Sequence, residues 1–167
     1  MSSFCALSLR LVVLFAIFLV AGCAFNTGAG DSFNARNSHW QGRLILKVHS
    51  EPVQALSADF DLQGDAQVGR LSLFTPLGTT AARLEWDAHG AQLQTTGEPQ
   101  LFESIEALTR HSTGTVLPIA SLFDWLKGVE PFTPGWQVDL RDLANGRFSA
   151  QRLPPHVPAE LKIILDR

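Results

Sequence analysis

The stretch Leu56-Ser57-Ala58-Asp59-Phe60-Asp61-Leu62-Gln63 decides the fold. Leu56, Ala58, Phe60 and Leu62 alternate with Ser57, Asp59, Asp61 and Gln63. In a strand successive side chains point to opposite faces, so this order predicts a half-buried β-strand with one apolar and one wet face. Its neighbours repeat the pattern. Trp40, Gly42, Leu44, Leu46 and Val48 alternate with Gln41, Arg43, Lys47 and His49, with Ile45 as the exception. Leu71 and Leu73 continue the pattern, as do Ala82, Leu84 and Trp86, then Ala91, Leu93 and Thr95. Between these runs lie Glu51-Pro52, Gly64-Asp65, Pro76-Leu77-Gly78 and His89-Gly90, all turn chemistry. Five consecutive strands sharing one apolar face describe an antiparallel sheet covered on one side only.

The next segment supplies the cover. Leu101, Ile105 and Leu108 have helical spacing over 101–111, ended by Ser112-Thr113-Gly114. Pro118 suits a first helical position, Ile119, Leu122, Phe123 and Leu126 form an apolar stripe that Trp125 widens, and Gly128 is a stop. Strands resume at 136–140, 147–152 and 161–165, with Asn145-Gly146 as a hairpin signal between the first two. Strands, two helices, then strands predict an α+β fold, a curved antiparallel sheet with helices on its apolar face.

The N-terminus is not part of that fold. Arg10 is followed by an unbroken apolar run, Leu11 to Val20, and then by Ala21-Gly22-Cys23. A basic start, a short apolar stretch and a small-residue exit make a secretory signal over residues 1–22. The run is short for a membrane span of about 20 residues. Cys5 leaves with the signal, so Cys23 is the one cysteine of the mature chain and no internal disulfide can form. Residues 23–38 read as a tether rich in Gly, Asn, Ser and Ala, and residues 39–167 as the folded domain. The full chain has a net charge of −3, and loss of Arg10 brings the mature chain to −4. With no basic run there is no electrostatic footprint for nucleic acid.

Catalytic constellations are missing from the sequence. There is no His-Glu-x-x-His, no Gly-x-Ser-x-Gly, no P-loop and no Gly-x-Gly-x-x-Gly. His39, His49, His89, His111 and His156 lack metal-ligand spacing and read as surface residues. Asp59 and Asp61 share a strand face as two catalytic carboxylates would, but Ser57 and Gln63 beside them mark that face as solvated. No cofactor or metal is expected, and the chain reads as a non-enzyme. What remains is apolar surface. A one-sided sheet under amphipathic helices either packs solid or encloses a cavity, and the residues alone favour the solid core. In Phe74-Thr75-Pro76-Leu77-Gly78-Thr79, Pro76 and Gly78 fit the second and fourth positions of a type I turn. Leu77 then stands at an apolar turn tip that either folds back on the core or waits for an apolar partner; the residues slightly favour the fold-back.

The chain resembles the outer-membrane lipoprotein LolB family of Gram-negative bacteria. The landmarks are the lipobox-like ending Val20-Ala21-Gly22-Cys23, Gly42-Arg43-Leu44, the run Gly69 to Thr79, Gly114 with Leu117-Pro118, Leu122 to Gly128, and Gly135-Trp136-Gln137-Val138. The resemblance implies an unclosed, strongly curved β-barrel with a helical lid over a hydrophobic cavity. It implies lipidation of Cys23, and the absence of aspartate at Ala24 implies retention in the outer membrane. It further implies a monomeric receptor that takes lipoproteins from the soluble periplasmic carrier LolA and inserts them into the inner leaflet of that membrane. Pro76, Leu77 and Gly78 match the family's insertion loop. The cavity would be lined by Leu44, Leu46, Phe60, Leu62, Leu71, Leu73, Leu84, Trp86 and Leu93, and its lid by Leu122, Trp125 and Leu126. The alternative is a lipid-anchored protein that holds a hydrophobic ligand, or serves envelope assembly, without transferring lipoproteins. Two departures stand out: the segment between Phe33 and Trp40 is short, and the end from Pro154 to Arg167 looks shorter than the family's closing strands.

Overall fold

The computed structural model describes residues 38–166, all within one compact unit. Cys23, the signal at 1–22 and the tether up to residue 37 lie outside the described residues. Five long alternating runs form the first wing of the sheet: β1 (Ser38–Val48), β2 (Gln54–Gly64), β3 (Gly69–Phe74), β4 (Thr80–Asp87) and β5 (Gly90–Gln94). A short sixth strand, β6 (Gln100–Phe102), ends that wing. Two helices follow, α1 (Ile105–Thr113) and α2 (Ile119–Leu126), and then β7 (Trp136–Asp139), β8 (Arg147–Arg152) and β9 (Ala159–Leu165).

All nine strands join one antiparallel sheet in the order β6-β5-β4-β3-β2-β1-β9-β8-β7. The two terminal strands are β6 and β7, so the sheet is unclosed, as expected. The closing strand is not at an edge. β9 lies mid-sheet between β1 and β8, with Leu44 opposite Ile163 and Leu46 opposite Leu161. Gly42 permits this: a Cβ there would sit 2.0 Å from the Ile164 carbonyl oxygen, and its φ of +155° is one that side-chain-bearing residues rarely adopt.

The alternation read from the sequence becomes a two-faced sheet. Leu44, Leu46 and Val48 of β1 are buried while Arg43 and Lys47 are exposed. Cross-strand pairs carry the apolar face across the first wing: Leu62 faces Leu71, Leu71 faces Leu84, Leu84 faces Leu93, and Phe60 faces Leu73. Such pairs are the stabilising unit of a sheet.

Two local expectations change. The helix expected over 101–111 begins only at Ile105, because the Ser104 hydroxyl caps it by accepting the Ala107 N–H at 3.2 Å. Leu101 belongs instead to β6 and is exposed. Asn145-Gly146 does connect β7 and β8, but through a 3-10 turn over Leu143–Asn145 that Gly146 ends with φ +76°, not through a two-residue hairpin. α2 starts after Pro118, one residue later than expected, and stops where Gly128 donates its N–H to the Trp125 carbonyl at 2.9 Å.

Candidate functional site

α2 is sunk into the sheet's apolar face. Five of its eight residues, Ile119, Leu122, Phe123, Trp125 and Leu126, are buried. The twelve residues expected to line a cavity and its lid gather in one continuous apolar cluster. Eleven of them are buried; Leu93, on β5 near the edge of the first wing, is half-buried. Phe123 was not among those twelve, yet it is the centre of the interior. Its ring stands 5.6 Å from Trp40 edge-on and 6.2 Å from Trp86. Trp125 reaches the other wing, 6.2 Å from Trp136 and 6.4 Å from Phe148. One helix thus joins β1 and β4 to β7 and β8 through ring contacts. The apolar stripe in the sequence already contained Phe123; its spacing could not say that two tryptophans would converge on it.

Two buried donors in this interior have no acceptor among the described residues, the Trp125 indole Nε1 and the Arg152 Nε. Arg152 lies on β8 opposite Trp136, and its terminal nitrogen donates to the Thr115 hydroxyl. A buried donor without a partner is costly, so this corner of an otherwise apolar interior suits an acceptor oxygen.

The turn after β3 is built entirely from its own bonds. The Gly78 N–H donates to the Thr75 carbonyl at 2.8 Å and the Thr75 N–H to the Thr79 carbonyl at 2.9 Å; the two threonine hydroxyls bond each other at 2.8 Å. Pro76 and Leu77 occupy the two central positions, Gly78 has φ +80°, and a Cβ added to it would meet nothing within 4 Å. Leu77 is 91 % exposed. The fold-back that the residues slightly favoured does not occur, because the backbone bonds fix the turn upright. The ladder slips between Leu73 and Phe74, immediately before it.

The outer face holds the charged groups in short cross-strand pairs. Arg43 meets Asp59 at 2.8 Å and Arg70 meets Glu85 at 2.7 Å. Asp61 accepts from Gln41, His39 and Gln63. Burial alone would raise its pKa, but those three bonds together hold it below the ordinary carboxylate value. Asp59 and Asp61 are therefore structural partners on the wet face, as their neighbours implied. Among the described residues no cluster of His, Cys, Asp and Glu could hold a metal ion, and no helix is long and apolar enough to cross a membrane.

Comparison with known proteins places this geometry. A model of the family "Outer membrane lipoprotein LolB" matches residues 38–152, from the first strand through β8. The Outer-membrane lipoprotein LolB of Aeromonas hydrophila subsp. hydrophila is 31 % identical over 134 residues, 74 % of this chain and 68 % of that protein. The protein of the same name from Ralstonia nicotianae is 31 % identical over 75 % of this chain and 63 % of its own length. That from Azoarcus sp. strain BH72 is 27 % identical over 89 % of each. The matched segments thus span about two thirds of the first two relatives and most of the third. The match runs through the inward faces, the Leu77 turn and α2, and the chain belongs to the outer membrane lipoprotein LolB family.

Proposed function

We propose that this protein is an outer-membrane-anchored receptor, held by acylated Cys23, that accepts lipoproteins from the carrier LolA and inserts them into the inner leaflet. The observation that carries the reading is the contrast within one sheet: an apolar interior under α2, and beside it a leucine held upright in water. A lone exposed leucine is ordinary on a surface, but one held at the tip of a turn fixed by its own hydrogen bonds is placed to enter an apolar partner outside the fold. Its relatives bear the name of outer-membrane lipoproteins.

The energetics fit a relay without nucleotide. Exposing a methylene costs about 0.8 kcal/mol, so an acyl chain in water would cost on the order of 10 kcal/mol. The chain instead leaves the carrier, enters between the sheet and α2, and passes on to the bilayer, each site binding more tightly than the last. The twelve residues from Leu44 to Leu126 line its path. The unpaired Trp125 and Arg152 donors would meet ester carbonyls at the head of the cargo's diacylglycerol. Leu77, raised by Pro76 and Gly78, enters the leaflet and eases the cargo in. No step calls for bond making, so the function is binding and transfer rather than catalysis.

The test is transfer of a radiolabelled lipoprotein from its carrier to membranes containing this protein. Leu77→Glu is expected to accept the cargo and fail to insert it. Acceptance of free fatty acid but not of carrier-bound lipoprotein by the unaltered protein would replace the reading with a hydrophobic-ligand binder.

A further inference from the structure

The strand register sorts the connections to two ends of the sheet. Val48 pairs with Gln54 and Ala159, Ala159 with Arg152, and Arg152 with Trp136. Residues 49–53, residues 153–158 and the segment entering β7 therefore meet at one end. β3 runs from Gly69 opposite Gly64 to Phe74 opposite Asp59, in the middle of β2, so the Leu77 turn that follows is directed toward the same end. Backbone bonds stitch this rim together: the His49 N–H donates to the Pro158 carbonyl and the Leu153 N–H to the Gly135 carbonyl, each at 2.9 Å. Phe132 stands on the segment so tied, between Pro131 and Pro134, next to Thr133, whose hydroxyl donates to that of Ser121 on α2 at 2.9 Å. It is 94 % exposed. Phe132 and Leu77 are the two most exposed large apolar side chains among the described residues, and Val53, Leu153 and Val157 add exposed apolar surface to the same rim.

Resting on the reading above, we propose that Phe132 is a second bilayer-entering side chain, which with Leu77 seats this rim on the zwitterionic phospholipid of the leaflet. Two observations choose that occupant. The rim segments 49–53, 75–79, 129–135 and 153–158 carry Glu51, Glu130, His49 and His156 and not one Lys or Arg, so no permanent positive charge draws the rim to an anionic surface and apolar burial must supply the attraction. The chain outside the described residues adds the second. Ser38 pairs with Gly64 at the opposite end of β1, about 35 Å away along the strand. The fifteen residue steps from Cys23 to Ser38 reach at most about 50 Å. That length lets the rim meet the leaflet that holds Cys23, and a tethered leaflet is the partner of highest effective concentration.

The experiment uses the acylated full-length mature protein in phosphatidylcholine vesicles, with an environment-sensitive fluorophore on a single introduced cysteine. Acylation blocks Cys23, so Phe132→Cys, Leu77→Cys and Val68→Cys each give one free thiol. Val68, in the β2–β3 turn at the other end, is the reference. The fluorophore at 132 is expected to shift to the blue and brighten several-fold over that at 68, as is the one at 77. A shift at 77 with none at 132 overturns the proposal and leaves the transfer reading standing; no shift at either overturns both. A response at 132 only on adding the carrier assigns the residue to a protein partner and overturns the lipid assignment. So does a response that grows as anionic lipid replaces phosphatidylcholine; the expected response shrinks.

Discussion

β3 ends in a turn at each side, and the two turns have opposite construction. At its start, residues 64–69 are locked to the fold. The Asp65 carboxylate accepts the N–H groups of Gln67 at 2.7 Å and Val68 at 3.0 Å, and the Asp65 carbonyl accepts the Trp86 indole at 3.1 Å. Gly69 lies flat against that indole; a Cβ there would stand 2.2 Å from the ring. At its finish, residues 75–79 bond only to one another, and nothing stands near Gly78. The first turn spends its polar groups on fixing Trp86, a wall of the interior. The second leaves its apolar tip unspent. Substitution where the first turn packs on Trp86 should therefore cost stability, and substitution at the apolar tip of the second should cost function.

The largest effect is expected at Gly69→Val, which forces side chain into the Trp86 ring. Overpacking of this kind costs about 3 kcal/mol, read as a lowered urea midpoint with unchanged slope. Next comes Leu77→Glu, with stability within about 0.5 kcal/mol of the parent and lipoprotein insertion reduced more than tenfold, about 1.4 kcal/mol. A loss of stability there in place of insertion would erase the contrast between the turns. Gly78→Ala meets no neighbour and pays only for a left-handed backbone, about 1 kcal/mol in the same urea titration; a larger loss would mean that the turn packs on something. The smallest effect is expected at Asp65→Ala. Bonds from the Val68 and Gln67 N–H groups hold this carboxyl below its ordinary pKa. Its folded pKa lies under the unfolded one, so its contribution is whole above about pH 4 and fades as pH falls through the folded value. Discounted for solvent, it is about 0.5 kcal/mol at pH 7. A parent–variant difference that stays constant from pH 7 to pH 3 would show that charge plays no part.

Much of this molecule was legible in the order of its residues. Period-two alternation from Trp40 to Leu93 gave the strands and their inward side, because a one-residue slip would bury Arg43 or Asp59. Helical spacing misled at Leu101: 101, 105 and 108 lie on one helical face, but the Ser104 cap and the β5 ladder set the boundary, and pairing across a sheet is not a local property. The frame of the Leu77 turn, from Thr75 to Gly78, was readable from Pro76 and Gly78, its exposure was not, since whether a tip folds back depends on hydrogen bonds across the turn. Phe132 carried no signal at all, being one aromatic between prolines with no period to join. Phe123 was visible as part of a stripe and invisible as a hub, since convergence of Trp40 and Trp86 follows from the curl of the sheet.

The unclosed sheet has a mechanical consequence. A closed barrel has its girth fixed by strand number and stagger, and enlarging it means breaking a ladder of hydrogen bonds. Here β6 and β7 end the sheet without bonding to each other, and α2 bridges the wings through apolar packing and ring contacts. Dispersion contacts are individually weak, so the wings can spread by small increments while every interstrand bond survives. The girth of such an interior is elastic, and under the function proposed above its capacity would follow the bulk of the acyl load instead of selecting for one size.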